Sequence, residues 1–297
     1  MSLPAFRPAV LLSRLLGAVL LCAASAGCVD QPVPDCLSST AAYALQLIEQ
    51  SRAESTPGAC NEYGPATFNL DPRAGVVPYF PRNSRGQPDY GHGSLAIQTA
   101  ELGTLYETAL ARGADNLATD GELYSLGDFT RAQPDAAGLC HVPELSATHL
   151  VLAELPALPD DPATPGVDES EPGQPAVDAT LEWSQLDVYV SAASLGTQIA
   201  VDLVDTRRSA DGSSCSISYH ALGLAPAVPC RALDPENGAP LSNADGSPQL
   251  DPEACNPQAD PAAGRVLGSG ISPNTAYVCD PASAYCVLDS PTLPGLR

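Results

Sequence analysis

The cysteines carry the most reactive side chains in this sequence, and their spacing limits what they do. Ten are present, and no two stand in the C-x-x-C spacing that zinc sites commonly use. Eight of them follow residue 28, and an even, scattered set is typical of exported proteins, in which cysteines form disulfides. We therefore predict that these eight are paired: Cys36, Cys60, Cys140, Cys215, Cys230, Cys255, Cys279 and Cys286.

The predicted elements favour one set of partners for these cysteines. One bridge is expected to bracket a helix, one to cross a turn that contains proline, and one to close the end of a strand, which leaves the last pair by elimination. Each bridge would contribute about 2–4 kcal/mol, chiefly by restricting the unfolded chain. The expected bridges are Cys36–Cys60, Cys279–Cys286, Cys215–Cys230 and Cys140–Cys255.

One histidine stands where a hydrolytic site would be sought. His92 lies between two glycines, three residues after Asp89 and two before Ser94. A Ser-His-Asp triad depends on placement in space, and Ser94 lacks the G-x-S-x-G surroundings of a nucleophile elbow. We therefore interpret His92 as an exposed turn residue and assign no catalytic residue.

The best metal candidates are Cys140, His141 and His149. Their spacing matches neither C-x-x-C nor H-E-x-x-H, so we predict no metal site and no cofactor. His220 falls on the outward face of an alternating strand and is expected to be exposed. The chain has no lysine, which excludes a lysine Schiff base and a P-loop.

The N-terminus has the features of an export signal. Arg7 and Arg14 precede an apolar run over residues 15–24, which small residues follow. This order is typical of a secretory signal peptide, and the run is shorter than the about 20 apolar residues that span a bilayer. Cleavage after the A-x-A sequence at residues 24–26 would release a free secreted protein.

Ser25-Ala26-Gly27-Cys28 resembles the lipobox of bacterial lipoproteins, although that family has leucine or another aliphatic residue where Ser25 stands. The resemblance implies cleavage before Cys28 and lipidation of that cysteine, with acyl chains such as palmitate that anchor the protein in a membrane. It also implies sorting to the outer membrane, because Val29 is not the aspartate that retains some lipoproteins at the inner membrane. Lipidation would leave eight cysteines to pair, whereas simple cleavage would leave nine.

The charge of the chain excludes one class of partner. The formal net charge is −22 at pH 7, and such a surface repels nucleic acid and anionic lipid head groups. We therefore predict no nucleic-acid partner, and membrane association only through the lipid anchor.

Composition and periodicity predict the elements that position these residues. The 30 prolines and 24 glycines favour short strands and loops, while helical spacing predicts helices over residues 40–55 and 102–110. We expect a mainly β, disulfide-bridged α+β fold: a loop-rich, antiparallel β-sandwich-like core with one or two helices near the N-terminus. Alternation predicts strands over residues 76–80, 94–99, 123–129, 150–155, 180–184, 186–191, 197–205 and 214–220, and a short pair around 277–288.

A segment rich in acidic residues and proline divides the chain. The predicted organisation ends with a C-terminal antiparallel β part, which either stands alone or forms one domain with the N-terminal part. The predicted segments are a signal peptide (1–27), a tether (28–35), an N-terminal α+β part (36–158), an acidic loop or linker (159–178) and the C-terminal part (179–297).

Taken together, the sequence predicts a lipid-anchored cell-envelope protein with a non-catalytic binding or structural role. Its ligand or protein partner is not encoded in any motif. Two alternatives stay open: a secreted hydrolase whose site is assembled from distant residues, and a calcium-dependent adhesion protein that uses the acidic residues of 159–178 and 233–260.

Overall fold

The computed structural model describes residues 34–61, 72–113, 118–119, 122–159 and 173–297. The predicted signal peptide, Cys28 and most of the predicted tether lie outside these residues, as do residues 160–172 of the acidic segment. Residues Pro34–Arg297 form one compact unit. Within the described ranges, no helix is both long enough and apolar enough to cross a bilayer.

The described elements are mostly strands. Short 3₁₀ turns occur at Tyr90–His92, Pro252–Cys255 and Pro261–Ala263. The α-helix α1 spans Ala100–Ala111. The strands are β1 (Tyr43–Glu54), β2 (Arg73–Tyr79), β3 (Ser94–Thr99), β4 (Ala118–Thr119), β5 (Ser125–Asp128), β6 (Leu139–Glu144), β7 (Thr148–Leu152), β8 (Val177–Ser191), β9 (Ser194–Arg208), β10 (Ser214–Leu224), β11 (Tyr277–Cys279) and β12 (Cys286–Leu288).

Ten of these strands form a single antiparallel sheet, in the order β4–β7–β8–β9–β10–β1–β2–β3–β5, with β6 also paired to β8. The sheet curls until β5 approaches β6 and β7. The amide of Ser146 donates to the carbonyl of Leu126 (2.9 Å), and the hydroxyls of Ser125 and Thr148 lie 2.9 Å apart. The predicted sandwich of two sheets is therefore wrong, because the strands belong to one sheet whose ends nearly meet.

The first predicted helix is also wrong, since residues 43–54 form strand β1. The positions that suggested a helical face also contain a period-two set, Tyr43, Leu45 and Leu47, which faces the main core. β1 pairs with β10 from Ala44↔Leu224 to Glu54↔Cys215, and that ladder satisfies its backbone groups. Long-range pairing thus overrides a local pattern that fits either structure.

Several other predicted elements are confirmed. Helix α1 begins after Thr99, whose side chain accepts a hydrogen bond from the amide of Leu102. Strands β3 and β10 occupy the predicted positions, and the two strands predicted around Trp183 are a single strand, β8, with a register shift between Ser184 and Asp187. Strand β9 extends through Arg208, three residues beyond the predicted strand over residues 197–205.

The structure pairs all eight downstream cysteines, but all four predicted pairings are wrong. The geometry of the curled sheet brings together cysteines that are far apart in sequence. The predicted Cys36–Cys60 bridge fails because the residues between these cysteines form the extended strand β1 and not the helix that the bridge was expected to bracket. The disulfides are Cys36–Cys140, Cys60–Cys215, Cys230–Cys279 and Cys255–Cys286.

The C-terminal segment, residues 228–297, packs against strand β10. Successive side chains of a strand point to opposite faces, so Tyr219 and Ala221 join the main core while Leu222 and Leu224 face a second apolar cluster. That second cluster contains the cysteines of both C-terminal disulfides and Ile271. The segment is thereby fixed on the sheet by apolar burial and by covalent links within itself.

Candidate ligand-binding cavity

A cavity of about 1050 Å³ lies between the sheet and the C-terminal segment. Strands β1, β8 and β9 and the start of α1 line one side. The other side is formed by residues of the C-terminal segment between Pro229 and Tyr285. The volume is at the upper end of the range for small-molecule sites, about 300–1,000 Å³.

The buried part of the lining is largely apolar. Trp183 and Leu181 are each 2% exposed, Leu203 is 4% exposed, and all three project from neighbouring strands. In the ladder between β8 and β9, Trp183 stands opposite Leu203. Because their side chains alternate inward, β8 and β9 present one continuous apolar floor.

A buried charge cluster adjoins this floor. The guanidinium of Arg207 donates to both carboxylate oxygens of Glu101 (2.9 Å each) and to both oxygens of Asp205 (2.7 and 2.9 Å). Glu101 lies in the first turn of α1, whereas Asp205 and Arg207 are alternate residues of β9. The cluster links the helix to the sheet and holds two carboxylates against one guanidinium.

Burial controls the protonation of this cluster. It raises the pKa of both Glu101 and Asp205, while the charge of Arg207 acts in the opposite direction. For Arg207, burial opposes the charged form, but Asp205 and Glu101 outweigh it and raise the guanidinium pKa. Arg207 is therefore charged.

The exposed rim of the cavity comes from the C-terminal segment. Arg231 is exposed, and Leu233 keeps 58% of its surface in solvent. Arg265 also lines the cavity, with its guanidinium 3.0 Å from the carboxylate of Asp260. Among the residues that the structure describes, Arg231 makes no side-chain hydrogen bond or ion pair, which leaves its donors available.

The structure separates the residues of the hydrolase alternative. His92 Nδ1 lies 2.9 Å from Asp89 Oδ2, whereas the hydroxyl of Ser94 donates to Asp128 (2.7 Å). The His92 side chain is 79% exposed, and none of these residues lines the cavity. Histidine and serine thus use different carboxylates, which is not the arrangement of a triad.

The remaining histidines also stand beside aspartates on the sheet surface. His149 contacts Asp178 (3.1 Å) and His220 contacts Asp202 (2.8 Å). His141 lies between two carboxylates, at 2.6 Å from Asp187 and 3.2 Å from Asp135. Burial lowers the pKa of His141, but these hydrogen bonds and charges outweigh it and raise the pKa above 6.5.

The cysteines and acidic residues proposed as metal ligands have structural partners. Cys140 is bonded to Cys36 and does not act with His141. Over the described residues, the one group of potential ligands that lie close together is Cys230, Cys255 and Cys286, and each is in a disulfide. In the loop over residues 233–260, acidic side chains accept hydrogen bonds from their own turns, as Asp234 and Asp245 do.

Sequence reasoning missed the charge cluster and the arginine on the rim. The alternation of Ile199, Val201 and Leu203 already predicted an inward face, and its continuation by two more steps places Asp205 and Arg207 on that face. This signal was present, but the predicted strand ended at residue 205. Nothing in the sequence indicated that Glu101 would contact β9 or that Arg231 would line the same cavity.

Comparisons with known proteins place this chain in a family context. A family model described as MlpA matches residues 55–226, which include the strands from β2 to β10 but not the C-terminal segment. The chain is 26% identical over 205 residues to a Myxococcus xanthus protein named "Putative lipoprotein MlpA", covering 67% of this chain. The match spans 65% of that relative, which is less than two thirds of its length. No solved structure matches the chain significantly.

Proposed function

The chain belongs to the MlpA family, and from that premise we propose that it is a cell-envelope lipoprotein that binds a small ligand in its cavity. In this proposal Cys28 carries the acyl chains, and the folded part stands off an outer membrane on a short tether. The site binds its ligand without chemical conversion. The observation that carries the binding role is the cavity itself, with its apolar floor and charged rim.

Three observations support the lipid anchor. A relative is named as a lipoprotein, and residues 25–28 resemble a lipobox. In addition, the eight cysteines after residue 28 pair completely in four disulfides, so that Cys28 is not needed as a disulfide partner. A thioether at Cys28 accounts for the remaining thiol, whereas a free secreted form would expose it.

The surroundings of the cavity support binding rather than hydrolysis. The buried charged groups of its lining, Glu101, Asp205 and Arg207, are held by one another, and the described part of the lining includes no histidine and no thiol. A general base or nucleophile would need to stand within hydrogen-bond reach of a bound substrate.

The anchor is tested by replacing the predicted lipid site. We expect Cys28→Ala to move the protein from the membrane fraction to the soluble fraction. Cys22→Ala, in the predicted apolar run of the signal, is the matched control and should leave the protein with the membrane. Mass spectrometry of the wild-type N-terminal peptide should find an acylated Cys28; an unmodified terminus would contradict the anchor.

The binding role is tested with a neutral apolar fluorophore, N-phenyl-1-naphthylamine. Trp183 is the single tryptophan of the chain, so energy transfer from it reports a fluorophore in the cavity. Ala282→Phe adds bulk at the exposed rim and should weaken this binding, whereas Ala53→Phe, on an exposed part of β1, should not. Unsaturable binding to the wild type, or equal binding to both variants, would contradict a cavity ligand.

A further inference from the structure

We propose that the cavity binds a single-chain amphiphile with an anionic head group, with its hydrocarbon chain on the floor around Trp183 and its head group on Arg231. This inference rests on the binding role proposed for the cavity and names its ligand class. It is supported by the distribution of charged residues around the cavity and by the apolar residues of its lining.

The cavity differs in charge from the rest of the chain. The whole sequence has 35 acidic and 13 basic residues, yet the described lining of the cavity has equal numbers of each. The four arginines are Arg73, Arg207, Arg231 and Arg265, and the four acidic residues are Glu101, Asp205, Asp251 and Asp280. A strongly acidic protein thus has its arginines concentrated around this cavity.

The acidic residues of the lining are already engaged. Glu101 and Asp205 hold Arg207, as described for the charge cluster. Asp251 accepts a hydrogen bond from the amide of Glu253 (3.1 Å), and Asp280 accepts one from the amide of Ser283 (2.9 Å). These contacts stabilise the carboxylates within the protein, so they are poor sites for a cationic ligand.

Arg231 is in a different position from the other cations. Arg207 is buried against two carboxylates, Arg265 is paired with Asp260, and Arg73 has interactions of its own. Arg231 is exposed on the rim, and its guanidinium has no side-chain partner in the described part of the chain. An arginine binds carboxylate and phosphate in a bidentate geometry, so it selects an anionic head group.

The floor accommodates the apolar part of such a ligand. Among the apolar residues that line the cavity, Ile48 (37% exposed) and Leu233 (58% exposed) keep accessible surface, whereas Leu181, Trp183 and Leu203 are nearly fully buried. Burial of each methylene contributes about 0.8 kcal/mol, which corresponds to an affinity change of up to about fourfold. A hydrocarbon chain therefore gains affinity with length, and a compact hydrophilic anion gains none.

The experiment compares four probes with the same twelve-carbon chain, each used below its micelle concentration. Dodecanoate and dodecyl phosphate carry anionic heads, dodecyltrimethylammonium is cationic, and dodecanol is neutral. Titrations of the full-length protein are followed by the fluorescence of Trp183. We expect the anionic probes to bind at least about tenfold more tightly than the other two. Comparison of the affinities of dodecanoate and dodecyl phosphate then shows whether the site prefers a carboxylate or a phosphate head group.

Arg231→Gln tests the assigned contact. The substitution is on the exposed rim, so the variant should keep its melting temperature while anionic probes bind about tenfold more weakly. Arg85→Gln removes an exposed arginine outside the cavity and should change neither. Equal or tighter binding of the cationic or neutral probe, or an unaffected Arg231→Gln variant, would overturn the anionic ligand while the binding role survives. No saturable response to any of the four probes would overturn both.

Discussion

Arg207 connects the helix to the sheet through its buried hydrogen bonds. One guanidinium makes four hydrogen bonds to two carboxylates, all in a buried site, and joins α1 to β9. Buried ion pairs contribute little net stability when complete, because desolvation offsets attraction. The loss of one partner is costly, however, because it leaves a buried charge without compensation.

Replacement of Arg207 should therefore destabilise the protein strongly. Arg207→Met leaves Glu101 and Asp205 buried together, and we expect a loss of about 3–5 kcal/mol in the free energy of unfolding, measured in urea. Glu101→Gln should lower the free energy of unfolding by less, because Arg207 keeps its ion pair with Asp205. The neighbouring Arg208 is exposed, and Arg208→Met should stay within about 0.5 kcal/mol of the wild type. Equal effects at the two arginines would contradict the assigned cluster.

His141 should give the protein a pH-dependent stability. Its pKa is raised above 6.5 in the folded state, so its contribution is fully present below the unfolded pKa and is lost as pH rises through the folded pKa. We expect the NMR titration of His141 to have a midpoint above 6.5, and Asp187→Asn to lower it. Asp89→Asn, beside His92, should leave the titration of His141 unchanged. An unshifted midpoint in the wild type would contradict the two carboxylate contacts.

Individual elements differ in how well their sequences predict them. α1, β3 and β10 have unambiguous periodicity and adopt the predicted structure. The apolar pattern of residues 43–54 fits a helix and a strand about equally. The strand forms because ten of its residues pair with β10. The C-terminal segment has little regular structure, so its position depends on its disulfides and on its apolar contacts.

Loosening of the C-terminal segment should open the cavity. The double variant Cys255→Ala/Cys286→Ala removes one of its two disulfides, and we expect a loss of about 2–5 kcal/mol in stability. Trp183 should also become more accessible to acrylamide quenching, because the segment forms one side of the cavity. Cys36→Ala/Cys140→Ala, remote from this segment, should lower the stability without increased quenching. Unchanged quenching in the first variant would contradict the covering role of the segment.

The whole molecule combines a part that matches the family model with a C-terminal segment that follows this match in the sequence. The family match covers strands β2 to β10, while the opposite side of the cavity comes from residues after 226. The cavity thus arises only when these two parts pack together. Its charge balance contrasts with a chain that carries a net charge of −22.

That net charge should make the folding stability depend on salt. Repulsion among acidic groups opposes the compact state, and raising the ionic strength from 0.01 to 0.15 M shortens the Debye length from about 30 to about 8 Å. We expect the melting temperature at pH 7 to rise, by about 2–4 °C for each kcal/mol of relieved repulsion. Near the pI of about 4.2 the effect should largely vanish. A fall in melting temperature with salt at pH 7 would indicate that attractive ion pairs dominate.

The sequence by itself determined the properties that depend on neighbouring residues. These are the predominance of strands, the periodicity of α1, β3, β9 and β10, the acidic charge and the even number of cysteines after residue 28. Tertiary structure alone decided that residues 43–54 are a strand, which cysteines pair, and that Glu101 meets Arg207. Local periodicity is set by backbone geometry over a few residues, whereas these contacts depend on which distant strands satisfy one another's hydrogen bonds as the sheet closes.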